Sequence, residues 1–145
     1  MDRFDVIEQL ILTARCREQY CKSLLEQYHL RASELDVLLF LAQRRDMTTA
    51  KQICDERQLA KSLVSAGVET LVSRNLVERR TDPADRRRTL LSLRPEAEEI
   101  LDSANAMLGQ FRGRLCDGIS TEDLQAFERV LRRMRHNMNE INAGN

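Results

Sequence analysis

"RRTDPADRRRTLLSL", residues 79–93, puts five arginines into the ten positions from Arg79 to Arg88, around a single proline, Pro83. Arginine is almost never fully buried unless it is paired, so the cluster belongs to a solvated loop or to a surface that waits for a partner. The flanks narrow the choice. "LVERRT" and "RTLLSL" are short and alternating enough to be strands, and "DPADRR" between them has the Asp-Pro signature of a turn. The stretch therefore predicts a β-hairpin with a basic tip.

The residues before the hairpin predict helices. "SELDVLLFLAQRRD" (33–46) has Ser33 as an N-cap candidate with Asp36 at the capping-box position, and buries Leu35, Val37, Leu38, Leu39, Phe40 and Leu41. "MTTAKQICDERQ" (47–58) offers Thr48 or Thr49 as the next cap, with Ala50, Ile53 and Cys54 facing inward. After a short connection around Arg57 to Leu59, "AKSLVSAGVETLVSRN" (60–75) turns Leu63, Val64, Val68, Leu71 and Val72 to its apolar side. Helix, short connection, helix and hairpin, in that order, make a winged helix-turn-helix.

The other side of the third helix shows Lys61, Ser62, Ser65, Ala66, Glu69 and Thr70. Small hydroxyl and methyl side chains with a lysine at the N-terminal end suit a helix that enters the major groove of duplex DNA. The hairpin is then the wing, and Arg79, Arg86, Arg87 and Arg88 supply guanidinium groups suited to the negative potential of a minor groove. Asp85, two positions before Arg87, is placed to hold the tip and its arginine by a charge-assisted hydrogen bond. The plainer reading of the arginines is a solvated basic hairpin tip.

Charge distribution supports the first reading. The 145-residue chain carries 23 basic and 23 acidic residues, yet Arg57 to Arg94 holds nine basic against four acidic ones, a local +5 that leaves −5 on the remainder. Segregation of this kind points to a polyanion-binding face.

Five glycines and two prolines imply long helices elsewhere. Ala97, Leu101, Ala104, Leu108, Phe111 and Leu115 form one heptad-like seam, and Leu124, Phe127, Leu131, Met134, Met138 and Ile141 a second. Between them, Gly118 can stop a helix and Ser120 cap the next, with Asp123 completing a capping-box pattern. At the N-terminus, Phe4, Ile7, Ile11, Ala14, Cys21, Leu25 and Tyr28 make one stripe, and Val6, Leu10, Tyr20 and Leu24 another. So much apolar seam is best used by pairing with a second copy; an intramolecular bundle is the alternative.

The cysteines Cys16, Cys21, Cys54 and Cys116 show no CxxC spacing, and His29 and His136 form no ligand pair with them. The expectation is no disulfide framework, no metal and no cofactor, with buried or half-buried thiols. Met1 to Leu12 does not resemble a secretory signal, and no apolar stretch approaches a membrane span. The chain reads as cytoplasmic, with no membrane partner.

"NLVERRTDPADRRRTLLSL", after the helix pair and before a long helical hairpin, resembles the MarR family of bacterial winged-helix transcription regulators, most specifically at Leu76, Val77, Arg79, Asp82, Pro83, Asp85, Arg87 and Leu93. Asn75 replaces the usual glycine before the first strand. "RPEA" (94–97) replaces the usual threonine and later glycine after the second.

The resemblance implies a mainly α fold with a small β-hairpin, as one domain over 1–145. Its DNA-binding part would be 33–94, with dimerisation helices at 1–30 and 95–143. It implies a homodimeric repressor on a pseudo-palindromic operator, with Lys61, Ser62 and Ser65 on the recognition helix and Asp85 with Arg87 as the wing pair. Family members respond to small-molecule effectors, and some to oxidation of a first-helix cysteine, here Cys16; an ordinary packing role is the alternative for that residue. No catalytic constellation is evident, so the rival function is a helical protein-interaction module, an adaptor or antirepressor that does not bind DNA specifically.

Overall fold

The computed structural model describes residues 5–44 and 48–144. Phe4, and Arg45, Asp46 and Met47 of the quoted helical stretches, lie outside the described residues. Among the described residues, six α-helices and one two-stranded antiparallel sheet follow in order: α1 (Val6–Gln27), α2 (Ala32–Gln43), α3 (Ala50–Arg57), α4 (Lys61–Ser73), β1 (Val77–Thr81), β2 (Thr89–Leu93), α5 (Glu98–Leu115) and α6 (Thr121–Ala143), with a 3-10 turn, Pro95–Ala97, leading into α5. This is a mainly α winged-helix fold with a small β-hairpin. Contacts divide the chain into two units, 1–108 and 109–145.

The first unit is built around α2. Its sequence is apolar on nearly every side, and Leu35 and Val37 to Leu41 are all buried, as expected. Around it pack Leu24, Ile53, Val64, Val68, Leu71, Val77, Leu91, Ala97, Ile100, Leu101 and Ala104. Full burial of such an aliphatic side chain is worth about 1.5–3 kcal/mol. The start of α2 differs from expectation: the N-cap is Arg31, not Ser33. Glu34, three residues on, is buried and its Oε2 accepts the Arg31 N–H at 2.9 Å. A carboxylate reaching back to the cap therefore sets the boundary, and Ser33 falls inside the first turn. Of the two threonines, Thr49 caps α3. Its Oγ1 accepts the Gln52 N–H at 3.3 Å, and Gln52 Oε1 accepts the Thr49 N–H at 2.8 Å, a reciprocal capping box.

With few glycines available, α1, α3 and α4 end on other residues in the left-handed region: His29 (φ 53°), Gln58 (φ 52°) and Asn75 (φ 63°). After α4, the Asn75 N–H donates to Val72 O at 3.0 Å and the Leu76 N–H to Leu71 O at 2.9 Å, the two bonds of a Schellman end. Asparagine, which tolerates the left-handed region, thus makes the turn in place of glycine. The end of α1 is tied down by Arg74, whose guanidinium donates to Tyr28 O (2.7 Å) and His29 O (3.1 Å).

In the second unit, Gly118 (φ 78°) follows α5, and Ser120 caps α6 by accepting the Asp123 N–H at 3.1 Å, as expected. No residue of α6 is buried. Its apolar seam is open to solvent in the single chain: Phe127 is 51% exposed and Ile141 64%. Val6, Ile7, Ile11 and Leu12 of α1 are exposed as well.

Candidate nucleic-acid interface

Helix α4 is anchored from beneath by Val64, Gly67, Val68 and Leu71, all buried. The same 3.6-residue period turns Lys61, Ser62, Ser65, Ala66 and Glu69 outward, where all five are exposed. Thr70 is half-buried, and its hydroxyl donates to Ala66 O at 3.1 Å. Leu63, expected on the apolar side, is instead 49% exposed. The inward stripe is already filled by the residues one and four positions on, Val64 and Gly67, so the first turn presents Leu63 with Lys61 and Ser62.

The hairpin follows at once. Its register pairs Val77 with Leu93, Arg79 with Leu91, and Thr81 with Thr89. Core contacts hold the base, since Val77, Leu90 and Leu91 are buried, while Arg79, Arg80 and Thr81 run out into solvent. Thr48, considered only as a helix cap, forms an isolated antiparallel bridge to β2. It exchanges backbone hydrogen bonds with Leu91, Thr48 N–H to Leu91 O at 3.3 Å and Leu91 N–H to Thr48 O at 2.7 Å. A single paired residue has no period-2 pattern, so no sequence signal announced it.

The tip is a chain of short-range bonds. The Asp82 N–H donates to Arg88 O at 3.0 Å, the Arg88 N–H to Asp85 O at 2.9 Å, and the Ala84 N–H to Asp82 Oδ1 at 2.9 Å. Asp85 Oδ1 accepts the backbone N–H of Arg87 at 3.0 Å. The carboxylate thus holds the main chain of the tip; it makes no described bond to the Arg87 guanidinium.

The five arginines divide into two sets. Arg79 pairs with Glu69 of α4 at 2.7 Å, Arg80 with Glu78 at 2.8 Å, and Arg88 with Asp82 at 3.7 Å. Among the described residues, Arg86 and Arg87 have no ion-pair partner, and both are exposed. The base of the wing carries a further network in which Arg94 meets Glu78 and Glu96, each at 3.4 Å, and Asn75 Nδ2 donates to Glu96 Oε1 at 3.0 Å.

Of the thiols, Cys16 is exposed on α1, against the expectation that every cysteine would be at least half-buried; Cys21 is buried, and Cys54 and Cys116 are intermediate. All four are free. Burial pushes the Cys21 thiol pKa above its ordinary value, Arg17 pulls it down by a smaller amount, and Asp36 raises it slightly. Arg17 itself pairs with Asp36 at 3.6 Å. Among the described residues, no group of three or more His, Cys, Asp or Glu is placed to hold a metal, and no helix is long and apolar enough to cross a membrane.

A sequence model of the MarR family matches residues 30–88, from the start of α2 through the wing tip. The uncharacterized HTH-type transcriptional regulator YsmB of Bacillus subtilis (strain 168) is 27% identical over 134 residues, which is 92% of this chain and 91% of that protein. The crystal structure of the transcriptional regulator PA3341 superimposes with a TM-score of 0.82 at 25% identity, over 92% of this chain and 97% of the other. An S. aureus MepR mutant bound to an oligodeoxyribonucleotide shares the fold, with a TM-score of 0.61 at 20% identity over 94% of this chain and 99% of the other.

Proposed function

We propose that the chain, whose residues 30–88 match a model of the MarR family, is a winged-helix, DNA-binding transcriptional regulator of that family and acts as a homodimeric repressor of a pseudo-palindromic operator. Residues 33–94 are the DNA-binding part in this reading, and 1–30 with 95–143 form the dimerisation part. The observation that carries it is the unpaired state of Arg86 and Arg87 at the tip of a hairpin that directly follows α4. Two exposed guanidinium groups on a bonded loop suit a narrow, negative minor groove.

In this arrangement Lys61 reaches a phosphate, and Ser62, Ser65, Ala66 and Thr70 let α4 lie close to base edges in the major groove. Arg79 and Arg88 are committed to carboxylates and act more by shaping the wing than by donating freely to DNA. The open seams of α1 and α6 supply apolar surface for the partner copy, and a two-fold dimer sets its α4 helices about one helical turn of DNA apart. Release by a small-molecule effector, or by oxidation at the exposed Cys16, completes the proposal.

The test is fluorescence anisotropy with duplex DNA from upstream of the protein's own gene, beside a scrambled duplex, at several salt concentrations. Tight, salt-dependent binding that prefers the upstream fragment supports the reading. Absence of binding at low salt moves the assignment to a protein-interaction module using the same open seams.

A further inference from the structure

Glu69 Oε2 lies 2.7 Å from Arg79 Nη2, and the pair joins two arms of the interface, the outward face of α4 and strand β1 of the wing. Its side chains are 71% and 39% exposed. A pair that open to water adds little to stability, so its value to the fold does not explain it. Its place does. Glu69 is the one acidic residue of α4, and it sits among Lys61, Ser62, Ser65 and Ala66 on the exposed face. A bare carboxylate there repels phosphate. A bare guanidinium on Arg79 attracts phosphate on any duplex, whatever its sequence.

We propose that Glu69 is a positioning residue for specificity: by holding the Arg79 guanidinium against α4, it withholds one cation from the phosphate backbone and keeps binding to non-cognate DNA weak. Arg86 and Arg87 at the tip stay available, so discrimination rises without loss of the wing. The inference rests on the DNA-binding reading above and adds a role for an acidic residue that this reading alone leaves as a liability.

The experiment compares the wild type, Glu69→Gln, Arg79→Ala and the double variant on a fluorescein-labelled mixed-sequence duplex over a salt series, with thermal melting as the control for folding. Glu69→Gln is expected to bind this duplex roughly fivefold more tightly at low salt, with a log K against log[salt] slope steeper by about one, the signature of one more phosphate contact. In the Arg79→Ala background the same substitution relieves only the repulsion of a bare carboxylate, so affinity should rise less and the slope should stay unchanged, since no cation is released. If Glu69→Gln leaves affinity and slope unchanged, or if its full gain in affinity and slope persists without Arg79, the withholding role is overturned; full persistence would mean that the carboxylate acts by repulsion alone. A wild type that binds no duplex at low salt defeats the DNA-binding reading itself, a different result from normal wild-type binding with an indifferent Glu69→Gln.

Discussion

Asp85 Oδ1 accepts the backbone N–H of Arg87 at 3.0 Å, so the acidic residue of the wing pair fixes the path of the chain and leaves the arginine's charged end free. The two residues therefore fail differently when removed. Arg87→Ala deletes a cation and is expected to weaken duplex binding about tenfold, or about 1.4 kcal/mol, and to lower the salt slope by about one. Asp85→Ala leaves every cation in place but frees the tip, and should weaken binding less, with the slope unchanged. Asp85→Asn keeps an acceptor oxygen and should bind like the wild type. Anisotropy titrations across salt separate the three, and equal slopes for Arg87→Ala and wild type would refute this division of labour.

Gly67 lies inside α4 on its buried face, where glycine costs about 1 kcal/mol relative to alanine. A Cβ built there would meet Glu34 Cγ at 3.5 Å and Glu34 Cα at 3.9 Å, ordinary van der Waals distances. Helix α2 therefore approaches α4 closely here but leaves room for a methyl group. Gly67→Ala is expected to stabilise the protein by up to about 1 kcal/mol, read as a higher midpoint in urea. A fall in midpoint would show that α2 and α4 pack more tightly than these distances imply.

The helix order, the α2 core and the hairpin were legible because each carries a strong local period or turn signal: six apolar residues between Leu35 and Leu41, and Asp-Pro between two short alternating runs. The exceptions were decided by particular side-chain contacts and by burial, some of them tertiary and some local, that no period or turn signal carries. Leu63 reads as core because it adjoins Val64, but only one rotation of α4 satisfies Val64, Gly67, Val68 and Leu71 together, and it leaves Leu63 in solvent. Ser33 is a good cap in isolation, yet the buried Glu34 reaching Arg31 moves the helix start forward. The five arginines looked equivalent along the chain. Their separation into paired and unpaired sets depends on Glu69, Glu78 and Asp82, of which Glu69 is ten residues away from its partner.

Cys16 and Cys21 share α1 but differ in exposure, and their chemistry should differ accordingly. The thiolate is the reactive form, and burial disfavours it at Cys21 more than Arg17 restores it. Iodoacetamide at neutral pH should label Cys16 well before Cys21, as read by mass spectrometry of peptides. The same shift has a consequence for stability. A thiol whose folded pKa is raised contributes fully below its unfolded pKa of about 8.5 and loses that contribution as pH rises through the folded value. Melting temperature should therefore fall more steeply above pH 8.5 in the wild type than in Cys21→Ala. Parallel curves for the two proteins would remove Cys21 from the account.

The seam of α6 gives the sharpest test of assembly. Phe127 and Ile141 are more than half exposed in the single chain, and no residue of the helix is buried. A charge placed at Phe127 therefore disturbs little within one copy. In a dimer whose partner covers that seam, Phe127→Glu places a carboxylate in an apolar contact, where burial without a partner costs several kcal/mol. Light scattering after size exclusion should show a wild-type dimer at micromolar concentration and a largely monomeric Phe127→Glu that keeps its helical circular dichroism. The monomer should also bind a two-site duplex far more weakly, because each half-site then engages alone. A variant that stays dimeric would place the partner's contact on some surface other than this seam.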